Sequence, residues 1–156
     1  MNRRGFFPFL LGSTGQWWPL SGRECQLVDR VMMAYVRKWV KSPHSGTRHA
    51  RTQLLQLKKG GSGLLVDATV NSYGGVLSIS KGDGILQYRG QWHLQLSEIV
   101  FRYRLEGSST GRPSSWPIDN FAEKKLVCLP GMIRMDGHRF VPVKGLEQED
   151  IDQFLT

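Results

Sequence analysis

The stretch that most restricts the fold is Ser21 to Lys41, SGRECQLVDRVMMAYVRKWVK. Ser21 followed by Glu24 fits a capping box, in which each side chain takes an orphan backbone N–H. Leu20 and Cys25 stand where a hydrophobic staple would close around that cap. Val28, Met32, Tyr35 and Trp39 form one apolar stripe at helical spacing, widened by Val31 and Val36. Arg37, Lys38 and Lys41 crowd the last turn, where cations suit the negative end of the helix dipole. Pro43 ends the run. The pattern predicts one long N-terminal helix lying across a sheet.

The rest of the chain reads mainly as strands. Residues 52–59 and 64–71 flank the turn GGSG, and the second run alternates cleanly between apolar and polar positions. Strands over 76–80 and 85–89 flank KGDG, and Arg89-Gly90-Gln91 reads as a further turn. In 92–105 the apolar parity changes between Trp92, Leu94, Leu96 and Ile99, Phe101, Tyr103, Leu105. One strand keeping all seven on one face needs an extra residue, so a β-bulge is expected near Ser97-Glu98. Arg102 and Arg104 then point outward together. Residues 106–120 form a long Ser/Gly/Pro loop. Strands over 121–129, 132–135 and 139–143 follow, with Asp136-Gly137 as a hairpin turn. A short acidic helix ends the chain, its acids in the early turns. The fold class expected is α+β, with an antiparallel sheet or small barrel of six to eight strands, one long N-terminal helix and a short C-terminal one.

Two units are expected: an apolar, basic arm over 1–20 and one α+β domain over 21–156 with an acidic tail. The arm carries Phe6, Phe7, Phe9, Trp17 and Trp18 in a segment broken by Pro8 and Pro19. Such groups need cover, from the domain itself, a second copy or a membrane interface. Its apolar run is short and interrupted for a secretory signal, and no stretch has the length of a membrane span. Cys25 and Cys128 read as buried thiols, a disulfide between them being the alternative. An intracellular location, cytoplasmic or peripheral to a membrane, follows as the default.

Charge is the main pointer to function. The net +8 divides into +9 over residues 1–59, +3 over 60–145 and −4 over 146–156. Arg37, Lys38, Lys41, Arg48, Arg51, Lys58 and Lys59 fall within 23 residues. With Arg102 and Arg104 they are the candidate anion-binding residues, arginine taking phosphate oxygens bidentately and lysine as a point charge. Tyr88, Trp92 and Tyr103 lie near Arg89, Arg102 and Arg104, a mix that can stack bases, or they belong to the core. His44, His49, His93 and His138 show no zinc-ligand spacing, and phosphate-loop, metalloprotease and nucleophile-elbow motifs are absent from the sequence. No catalytic residue, metal or cofactor is assigned.

The function expected is a non-catalytic structural protein that self-associates and binds an anionic surface, nucleic acid or membrane, by analogy of design with a viral matrix or coat protein. The alternatives are a monomeric RNA-binding regulator and an enzyme of unrecognised class.

Overall fold

A computed structural model of the chain describes residues 25–37, 40–41, 46–96, 98–108 and 121–156. Ten strands run through them: β1 (Met32–Tyr35), β2 (Val40–Lys41), β3 (Arg48–Leu57), β4 (Ser62–Tyr73), β5 (Val76–Ile79), β6 (Leu86–Gln95), β7 (Glu98–Ser108), β8 (Ala122–Leu129), β9 (Met132–Met135) and β10 (His138–Pro142). A single helix, α1 (Gln148–Phe154), ends the described chain. All of the strand pairings are antiparallel, and β1 joins both β3 and β10. The sheet therefore closes as an eight-stranded barrel in the order β1-β3-β4-β6-β7-β8-β9-β10, with β2 and β5 added to the projecting ends of β3 and β4.

Closure sorts the side chains. An eight-stranded barrel is just wide enough for side chains to fill it. Met32, Leu55, Phe101, Leu126, Ile133 and Phe140 fill this one and are buried. Gly63 faces Phe101, and a Cβ on it would lie 2.6 Å from the ring. The outward faces of β1, β3 and β4 form a second apolar cluster, where Met33, Leu54, Val66 and Val70 meet Phe154 and Leu155 after the chain returns. Asp150 fastens that return. Its Oδ2 accepts the Ile79 N–H at 2.7 Å and its Oδ1 accepts the Lys81 ammonium at 2.8 Å.

This architecture overturns the α+β expectation. The described part of Ser21–Lys41 holds a turn and strands β1 and β2, and the long N-terminal helix is not formed there. Met32, Met33 and Ala34 are all buried because β1 has the barrel interior on one side and the second cluster on the other. A strand covered on both faces loses its two-residue alternation, and its apolar run then matches a helical stripe. Asp29, at φ 68°, breaks the helical path before the stripe is complete. Ser21, Glu24 and Trp39, which supported the helix, lie outside the described residues.

The expected bulge near Ser97 is also corrected. Gln95 pairs with Glu98, so the change of parity is a two-residue hairpin between β6 and β7, with Leu96 at φ 58° and exposed. Gly90 is no turn but the middle of β6, opposite Gly63 on β4 and Tyr103 on β7. The real bulge adds Glu106 to β7, opposite the Gln87–Tyr88 step.

Cys25 and Cys128, expected as thiols, form a disulfide with Cα atoms 6.0 Å apart, tying residues 25–30 to β8. Asp29 holds the other side of this turn. Its N–H donates to Leu57 O at 2.7 Å, and its Oδ1 accepts the Lys59 N–H at 2.8 Å. Trp92 completes that end of the barrel, its indole N–H donating to Lys58 O at 2.9 Å. No helix among the described residues is long and apolar enough to cross a membrane.

Candidate anion-binding face

The seven clustered cations do not converge. Arg48 and Lys59 stand near opposite ends of β3, whose ten residues span roughly 33 Å at strand rise. Arg51 is engaged inside the fold. Its Nε donates to Asp67 Oδ1 at 2.7 Å, and its Nη1 donates to Gly84 O at 2.9 Å and Asp83 O at 3.2 Å. It fastens β3 and β4 to the loop before β6, and this leaves it poorly placed to meet a ligand. Lys58 and Lys59 form the β3–β4 turn that receives Trp92 and Asp29 through backbone groups. Arg37 is exposed beside Arg51, the two joined by a backbone bond. Lys38 and the side chain of Lys41 lie outside the described residues, as do Phe6, Phe7, Phe9, Trp17 and Trp18.

The aromatic candidates turn inward. Tyr103 is buried, and Tyr88 and Trp92 pack against the interior cluster. Tyr88 meets Tyr103 edge to face at 5.5 Å. Burial raises the pKa of both phenols, helped by Asp67 near Tyr88 and by Asp136 near Tyr103. They are core residues.

Arg102 and Arg104 do share a site. Alternation along β7 sends Phe101 and Tyr103 inward and both arginines outward. Their guanidinium carbons lie 4.3 Å and 5.3 Å from the centre of the Phe121 ring, which stands exposed just before β8. Register across β6–β7 places Arg89 directly opposite Arg104 and Gln91 opposite Arg102. These residues line an open groove of about 570 Å³ with Ser62, Gly90, Leu105 and Glu106. Arg89 Nε donates to Glu106 Oε1 at 2.8 Å, and both side chains are about half exposed. A pair so exposed contributes little and yields readily to a stronger anion.

Gly90 makes this geometry possible. A Cβ there would overlap the backbone carbonyl of Arg102 and lie 2.6 Å from Tyr103 Cα. Without it β6 can approach β7 closely enough to bring Arg89 beside Arg104. Sequence reasoning grouped Arg89 with Arg102 and Arg104 only by nearness along the chain to the inward-turning aromatics, and it missed Phe121 as their partner. Reading Arg89-Gly90 as a turn concealed the register, and Phe121 is separated from Arg104 along the chain by the 106–120 segment.

Among the described residues, no group of three or more His, Cys, Asp or Glu side chains converges to hold a metal ion. No family model, curated protein or solved structure matches this chain.

Proposed function

We propose that the protein is a non-catalytic binding module whose β6–β7 face takes a polyanion, with single-stranded nucleic acid as the occupant. One observation carries the proposal: three arginines set on one exposed sheet face around an aromatic ring, outnumbering the carboxylates of Glu106 in the groove and Glu123 opposite Arg102. Guanidinium groups take phosphate oxygens through charge-assisted bonds, and their planes, like the Phe121 ring, offer a stacking surface to an unpaired base. The Cys25–Cys128 disulfide supports an oxidising setting over the reducing cytoplasm expected from sequence. A virus particle is such a setting, and a coat-like role with a nucleic-acid partner is compatible with it.

The test is binding of a labelled oligothymidylate by fluorescence anisotropy over a salt series, for the wild type and an Arg89→Gln/Arg102→Gln/Arg104→Gln variant. Loss of three phosphate contacts should lower the slope of log K against log salt by about 2, at about 0.7 per contact on single strands. Thermal melts check that the variant is folded. An unchanged slope in a folded variant overturns the proposal, as does binding to anionic vesicles with none to the oligonucleotide.

A further inference from the structure

Like charges directly opposite one another on an antiparallel pair repel and destabilise it. The β9–β10 hairpin carries such a pair. Arg134 faces Arg139 across the ladder, and both side chains are exposed on the outside of the barrel. Neither has an acidic partner among the described residues. Val127 is opposite Arg134 on β8, Val141, two residues beyond Arg139, is exposed, and Asp136 in the hairpin turn is taken by Lys124 at 3.0 Å. A second facing arginine pair, Arg89 and Arg104, has Glu106 beside it.

We propose that Arg134 and Arg139 form a second phosphate contact for the same polyanion, which crosses β8 obliquely from the β6–β7 groove. This rests on the reading of that groove as a nucleic-acid site. The register supplies the path. On β8, Glu123 is opposite Arg102 and Val127 is opposite Arg134, with Lys125 between them on the same outward face. Glu123 neutralises part of the near end, and Lys125, in a loose exposed pair with Glu98 at 3.8 Å that a phosphate can displace, leads on to the arginine pair. Four residues along β8 and two strand spacings across it separate Arg102 from Arg134 by roughly 16 Å along the surface. One or two nucleotides in the groove do not reach that far, and a longer strand does.

The experiment compares oligothymidylates of about 2 and about 15 nucleotides, the first confined to the groove and the second within the range of site sizes on small single-strand-binding barrels. It uses the full chain and an Arg134→Gln/Arg139→Gln variant. Affinity for the short strand should stay within about 2-fold, while the slope for the long strand falls by about 1.4 for the two contacts removed. An unchanged long-strand affinity and slope, with binding still lost in the groove variant, refutes the second contact and leaves the groove reading standing. Long-strand binding lost in this variant but retained in the groove variant refutes the groove reading instead. A ligand-free measurement tests the premise independently. Arg139→Gln should melt at or above the wild-type temperature at low salt, with any rise vanishing at high salt as the repulsion is screened. A lower melting temperature at low salt makes the pair structural and overturns the proposal.

Discussion

Asp150 is where the C-terminal segment is fastened to the barrel, and its removal gives a calculable loss. The carboxylate is buried, with 2% of its side chain exposed, and it takes two donors, the Ile79 N–H and the Lys81 ammonium. Replacement by Ala removes a charge-assisted bond worth about 1.5–3 kcal/mol and strands the β5 N–H, a buried donor costing about 1–3 kcal/mol when unsatisfied. The two figures overlap, since both describe the Ile79 bond. The Lys81 side is half exposed and screened, so it adds little. A loss of about 2–3 kcal/mol follows, and at about 2–4 °C per kcal/mol for a chain of this size the melting temperature should fall by about 5–10 °C. Asp150→Asn keeps an acceptor for Ile79 and should lose less, and Lys81→Met least of all. Thermal denaturation followed by circular dichroism ranks the three. An Asp150→Ala variant melting with the wild type, or a larger loss in Lys81→Met, would refute the reasoning.

Three further outcomes follow from the same structure. Gly90→Ala should cost about 1–3 kcal/mol, because the Cβ meets backbone that has no room to move, whereas Gly82→Ala, with open space around it, should be near neutral in urea titrations. Lys81, Tyr88 and Tyr103 all have raised pKa values, through the Asp150 hydrogen bond for the lysine and burial for the tyrosines. The folded protein therefore holds these protons longer than the unfolded chain does. The contribution of these groups to stability should be constant below about pH 10 and fall as the pH rises through the folded values, a slope that Tyr103→Phe reduces in denaturant midpoints. Reducing the disulfide, which spans 103 residues, should remove up to about 4–5 kcal/mol on the chain-entropy account, read as a lower melting temperature in dithiothreitol.

The strands were largely legible in the sequence, and the closure was legible only as one of two options. Leu64–Asn71 is a strand and Asp136-Gly137 turns as expected, because each of these signals is local, although Leu64, Leu65 and Val66 are all buried and the expected polar face begins only at Asp67. The N-terminal element was misread because burial on both faces of Met32–Ala34 erased the alternation that marks a strand. Gly90 looked like a turn because sequence cannot separate a glycine that bends the chain from one that lets a second strand approach. The site was half legible. Outward placement of Arg102 and Arg104 follows from alternation, but their neighbours come from pairings distant along the chain. Arg51 shows the limit of counting charge, since a cation in a basic run can be fully occupied by its own fold.

The claim that the β6–β7 face binds single-stranded nucleic acid is tested most directly by following backbone amide resonances of the isotope-labelled protein while an oligothymidylate is added. The account predicts shifts concentrated at Arg89, Gln91, Arg102, Arg104 and Phe121, extending to Arg134 and Arg139 only with the longer strand. Shifts confined to residues outside these strands, or none at saturating oligonucleotide, would contradict it.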